Sequence, residues 1–87
     1  MNGKVEVGDV VRFRDSQGVD QNALVIFVHG GYHEGSPEGY HPCINLVVVS
    51  KDERKEDSYG RQTQKETSVS YNSDWTADGG FFWDFID

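Results

Sequence analysis

Near the start of the chain apolar side chains fall at every second position. Val7, Val11 and Phe13 lie an even number of residues apart, with Arg12 and Arg14 between and beyond them. That is the period of a strand with one covered face. Gly8-Asp9 interrupts the pattern where a residue without Cβ lets a strand bend and a short acid can bond nearby amides. Residues 15–22 are polar, contain Gly18 and suit a turn, whereas residues 23–28 (ALVIFV) are apolar without a break. Such a run predicts a second strand covered on both sides. The hairpin of residues 6–28 is the element on which the remainder is built.

Further along, residues 43–50 (CINLVVVS) predict a third strand from their β-branched content. Leu46 and Val48 share one face and Val47 and Val49 the other, so this strand is expected to be central and to pair with residues 23–28. Residues 51–66 (KDERKEDSYGRQTQKE) mix charges of both signs. A short helix over 51–57 is one option. An extended hairpin turning near Gly60 is preferred, because Thr63, Thr67, Val69 and Tyr71 continue an odd-numbered strand pattern. Arg54, Lys55, Tyr59 and Arg61 are the groups with which such an arm would bind. After a Gly79-Gly80 turn, residues 81–86 (FFWDFI) predict a last strand that closes a barrel against the first. Phe81, Trp83 and Phe85 then share one face and Phe82, Asp84 and Ile86 the other. The alternative is an exposed acidic and aromatic segment that recruits partners.

The series Gly8-Asp9-Val10-Val11-Arg12-Phe13, then Gly18, then Ala23-Leu24-Val25-Ile26 resembles the opening of a KOW-type or SH3-like small β-barrel, in particular the short barrel proteins encoded by bacteriophages. The resemblance covers the first third of the chain, and the rest only in strand spacing. It implies an all-β fold: one SH3-like (KOW-like) barrel of about five strands over residues 1–87, with a long Gly/His loop and a charged hairpin. It also implies a phage-type accessory protein acting inside a host cell. KOW domains often bind RNA, ribosomal or transcription proteins through basic loops.

Composition and charge change that picture in part. A chain of 87 residues makes one domain, and a hydrophobic fraction of 36 % is offset by two Trp, four Tyr and five Phe. The single cysteine, Cys43, excludes an internal disulfide and fits a reducing compartment. The start MNGKVEVGD carries no apolar targeting segment and no run approaches membrane-spanning length, so a soluble, cytoplasmic protein is expected, with no membrane partner. The formal net charge is −7, and residues 67–87 hold Asp74, Asp78, Asp84 and Asp87 with no basic residue. Such a surplus repels phosphate backbones and argues against direct nucleic-acid binding. It suits either solubility alone or docking on a protein with a basic surface.

Candidate chemistry gathers in residues 30–42 (GGYHEGSPEGYHP), which hold four of the ten glycines, both prolines and two Gly-Tyr-His triplets. This composition predicts a long loop. His29, His33, His41 and Cys43 offer imidazole and thiolate, but their spacing matches no standard zinc motif. No cofactor is expected, a small metalloprotein is carried as a third option, and no catalytic constellation stands out. The function expected is therefore a small acidic non-enzymatic protein that binds and blocks a host macromolecule, a defence or transcription component. The alternative is a structural or virion component that oligomerises through barrel edges. Contact residues chosen for exposure and chemistry are Tyr32, His33, Glu34, Tyr40 and His41 in the loop, with Asp74, Trp75 and Asp78 near the end.

Overall fold

The computed structural model describes residues 3–37, 39–50, 54–74 and 80–86. All regular structure among them is strand: β1 (Val10–Arg14), β2 (Asp20–Val28), β3 (Ile44–Val49), β4 (Glu56–Asp57), β5 (Gly60–Arg61), β6 (Thr63–Tyr71) and β7 (Phe82–Phe85). Five of these close a barrel in the order β1-β2-β3-β6-β7, and β4-β5 form a separate two-stranded hairpin. The fold is thus all-β, consistent with a small SH3-like barrel. Every neighbouring pair is antiparallel except β6 and β7, which meet in parallel over only Ser70↔Phe82 and Tyr71↔Trp83.

Two extra residues bend the sheet. Between Val25 and Phe27 β2 carries one more residue than β3 opposite it, and β6 carries one more than β3 between the pairs Ile44↔Val69 and Leu46↔Glu66. Both bulges face Asn45. Its carboxamide oxygen accepts the Ser68 N–H at 2.9 Å and the His29 Nε2–H at 2.7 Å. Ser68 takes φ 54°, a left-handed backbone that one class of bulge uses. Bulges on both neighbours of a central strand raise the local twist, and twist lets a five-stranded sheet close on itself.

Inside the barrel lie Val11, Phe13, Ala23, Val25, Ile44, Leu46, Val48, Val69 and Trp83, with Val5 covering one end. The last strand closes against the first as the sequence predicts, pairing Val11↔Phe85 through Arg14↔Phe82. The described part of the charged segment, residues 54–66, also turns as a hairpin rather than a helix. Ser58 and Tyr59 form its tip, and the Gln62 N–H to Lys55 O bond (2.8 Å) ties its base. Tyr59 projects fully into solvent.

Several expectations are corrected. Val7 does not join Val11 and Phe13, because Gly8 at φ 98° turns the chain between them; Val7 is exposed and Val5 takes the inner position. The first turn is shorter than expected, since β2 begins at Asp20, where the Arg14 guanidinium forks onto the Asp20 carboxylate at 2.6 and 3.2 Å. β2 and β3 are covered on one face only. Leu24, Phe27 and Val49 stand on the outside, and the register aligns Val10, Leu24 and Val47 in one outward row. On β6 the bulge switches parity, so Val69 is inside while Thr63 and Thr67 are exposed, and Gln64 and Glu66 stand opposite the inward-facing Val48 and Leu46. Phe81 precedes β7 at φ 68° and is partly exposed, its ring meeting that of the buried Phe13 edge-on with centres 5.7 Å apart, while Trp83 and Phe85 keep the inner face. Phe82 is instead buried outside the barrel, beneath the Arg14 guanidinium 5.5 Å from its ring centre.

Candidate functional site

At the end of the barrel where β2 finishes and β3 begins, the long loop folds back over the core. Gly30 and Gly31 both take positive φ (69° and 67°), and the Gly31 N–H donates to His29 O at 2.7 Å, so the chain reverses within three residues. Two further tight turns follow. His33 and Ser36 exchange bonds, His33 N–H to Ser36 Oγ at 3.2 Å and Ser36 N–H to His33 O at 3.1 Å, and the Tyr40 N–H donates to Pro37 O at 3.0 Å. Together these turns place Tyr32 beside Tyr40, the rings nearly perpendicular with centres 6.0 Å apart. Trp83 Nε1–H, donating to Pro42 O at 3.3 Å, anchors the returning end of the loop to the core.

Tyr32 links three segments. Its hydroxyl accepts the Val5 N–H at 3.1 Å and shares a hydrogen bond of 2.5 Å with His41 Nδ1. His41 in turn packs on Tyr71 (4.5 Å between centres), Phe85 (4.8 Å) and Trp83 (6.0 Å). Burial pushes the Tyr32 and Tyr71 hydroxyls above the ordinary tyrosine value, the nearby Asp84 carboxylate adding to the rise at Tyr71. Burial also holds His41 below the ordinary histidine value, against the partial opposition of Asp84.

That depression sets a pH dependence. A histidine that binds its proton less readily when folded contributes full stability above about pH 6.5, and that contribution falls away as the pH drops below it. The urea midpoint is therefore expected to fall between about pH 7.5 and about pH 5.5, a window above the carboxylates, and His41→Asn is expected to remove part of that fall. An unchanged slope in the variant would place the proton uptake elsewhere.

Gly3, Lys4, Tyr32, His33, Glu34, Ser36, Pro37, Gly39, Tyr40 and His41 line a cleft of about 440 Å³. Five of the residues chosen from sequence, Tyr32, His33, Glu34, Tyr40 and His41, thus come together. Asp74 does not; it is exposed beyond β6, its N–H donating to Asn72 Oδ1 at 2.9 Å. Trp75 and Asp78 lie outside the described residues, as do Glu38 and Gly79. Lys4 was not foreseen, yet its ammonium sits 5.6 Å from the centre of the Tyr32 ring. Nothing in the local sequence points to that contact, because it depends on how residues preceding β1 cross the loop. Tyr71 and Phe85 were foreseen as strand residues only, and their role as the floor beneath His41 follows from barrel closure.

The histidines and the cysteine do not converge. His29 is engaged with Asn45, His41 with Tyr32, His33 is exposed, and Cys43 Sγ lies 3.7 Å from Ser70 Oγ. Among the described residues no group of three or more His, Cys, Asp or Glu side chains is placed to hold a metal ion. At the opposite barrel end, a second cleft of about 270 Å³ is lined by Asp15, Gln21, Ser50, Gln64 and Glu66 with their neighbours. Among the described residues no helix is long and apolar enough to cross a membrane.

Fold and cleft together define a small β-barrel with one loop-built, aromatic-walled recess. Compared with protein-family models, curated proteins and solved structures, the chain matches none.

Proposed function

We propose that this chain is a small non-enzymatic binding protein that covers a basic surface of a host protein, such as a defence or transcription component, and blocks it by steric and electrostatic occlusion. A phage-type accessory role belongs to the same proposal. One observation carries it: the loop's aromatic and acidic side chains, Tyr32, Tyr40 and Glu34, gather around a single recess on a chain of net charge −7. Aromatic anchors flanked by carboxylates supply affinity and steering toward Lys and Arg of a partner. The test is an affinity pull-down from host lysate, eluted stepwise with salt and read by mass spectrometry. One basic protein retained until high salt is the expected result. Background binding alone at low salt would defeat the proposal.

A second use of the surface, self-assembly, is supported by a different observation. The barrel is closed by a two-pair β6–β7 seam, and among the described residues no strand besides β3 pairs with residues 63–69 of β6. An unpaired strand edge is a natural assembly surface, although Lys65 and Glu66 on it are the kind of charges that keep edges apart. Light scattering at high protein concentration separates the two uses: a strict monomer removes assembly.

A further inference from the structure

The recess has the walls of a cation site, and one cation already rests there. Tyr32 meets Tyr40 at an interplanar angle of 83° and His41 at the same angle, so flat aromatic surfaces adjoin at right angles around one corner. Glu34 is exposed and lines the same space. The chain's own Lys4 ammonium lies over the Tyr32 ring at 5.6 Å, inside the roughly 6 Å within which a ring quadrupole attracts a cation. Lys4 belongs to the segment preceding β1, where the described hydrogen bond to the loop is the Val5 N–H on the Tyr32 hydroxyl. That bond uses backbone and leaves the lysine side chain able to swing away without breaking it. Tyr40 packs its ring on Tyr32 and is still 36 % exposed, so a side chain arriving from outside reaches it directly.

We propose that the recess receives a lysine or arginine side chain of a protein partner, in the place that Lys4 holds in the free protein. The incoming cation would lie against Tyr32 and Tyr40, with the Glu34 carboxylate at the rim, and Lys4 would turn outward. This inference rests on the function proposed above and specifies its chemistry. It also makes Lys4 an internal competitor: the free protein keeps the recess occupied, and a partner must displace a contact as well as make one.

The test uses the full 87-residue chain and small cations, so it needs no knowledge of the partner. The protein is titrated with n-butylammonium and n-butylguanidinium at constant ionic strength, up to about 50 mM as weak cation–ring contacts demand, with n-butanol as the neutral control. Aromatic NMR signals report the site. The expected result is saturable shifts of the Tyr32, Tyr40 and His41 rings with the cations and not with the alcohol. Lys4→Ala is expected to tighten binding roughly two- to fivefold by removing the competitor, and Tyr40→Leu to weaken it by a similar factor. Because Tyr40→Leu could perturb the loop, Glu34→Gln serves as a second weakening variant at an exposed position that leaves the rings in place. Equal shifts with n-butanol, no saturation with either cation, or unchanged affinity in Lys4→Ala would each overturn the proposal. A pull-down that captures a basic protein equally well with Glu34→Gln and Tyr40→Leu would also overturn it while leaving the broader binding function standing. Cation binding without a captured protein would leave the site and remove the proposed partner class.

Discussion

Trp83→Ala should bring the barrel close to unfolding at ordinary temperature. Trp83 is fully buried, pairs in register with Phe13 of β1 and Tyr71 of β6, and so spans the seam where the barrel closes. Its ring also packs against Tyr71 (5.0 Å), Phe85 (5.1 Å) and His41, while its indole N–H holds the Pro42 carbonyl. Truncating a buried tryptophan costs about 3–5 kcal/mol, and the abandoned carbonyl adds to this. At roughly 0.05–0.15 kcal/mol per residue, a domain of this size has only about 4–13 kcal/mol in all. Urea denaturation followed by far-UV circular dichroism is the measurement, since the variant loses a fluorophore. Trp83→Phe, which keeps an aromatic plug, should lose roughly half as much. A loss below about 1.5 kcal/mol in Trp83→Ala would mean that this ring does not hold the seam.

Gly80→Ala should be nearly as damaging, for a reason of space rather than backbone angle. A Cβ at this position would stand 1.9 Å from the Asp15 carbonyl oxygen and 2.9 Å from its carbon. Both are backbone atoms, so no rotamer change relieves the overlap. The approach is close because the next residue, Phe81, donates its N–H to Arg14 O at 2.7 Å as the chain enters β7. Either that bond is lost or the end of β1 shifts. An overpacking cost of about 3 kcal/mol is expected, equivalent to a fall in melting temperature of more than about 12 °C for a domain this small. Gly18→Ala is the control. It carries a positive φ of 83° with nothing within 4 Å of the added atom, so only strain of about 1 kcal/mol is expected. Equal losses in the two variants would contradict the contact between Gly80 and the end of β1.

The strand set could be anticipated because it rests on patterns local to each segment. Alternation in VVRFR, β-branched content in INLVVV, and aromatic density in FWDF each required a strand, and a short chain had few other ways to cover them. Which side of a strand faces the core was less accessible. Parity survives only until a residue is inserted, and the two bulges opposite Asn45 are insertions that show only in the register between paired strands. Thr67 therefore looked like a partner of Val69 and stands outside. Apolar runs misled in another way. ALVIFV and INLVVV suggested two covered faces, but a small barrel has a single interior, so Leu24, Phe27 and Val49 are left outward.

For the recess, composition was an adequate guide to which loop mattered. Two Gly-Tyr-His triplets offered aromatic and polar groups on a backbone free to turn, and the turns set Tyr32 and Tyr40 side by side. The floor under His41 was not accessible in the same way, because Tyr71 and Phe85 come from strands that meet only when the barrel closes. Lys4 was inaccessible for the same physical reason: a contact made by tertiary crossing leaves no periodic trace in either segment.

The pairing of β1 with β7 has a consequence in time. These strands lie at nearly opposite ends of the chain, and each covers an edge of the other. During synthesis β1, β2 and β3 can pair as soon as they emerge, but the second edge of β1 has to wait for residues 82–85. Throughout that interval Val11 and Phe13 lack their inner lid, Trp83, and an unpaired strand edge is open to the wrong neighbour. Closing so long a loop before its contacts can form is slow, which puts folding on the millisecond-to-second scale of barrels rather than the microseconds of local hairpins. The chain is therefore most open to mispairing before residues 82–85 arrive, and the acids that follow Thr67 are made too late to guard β1 for most of that wait.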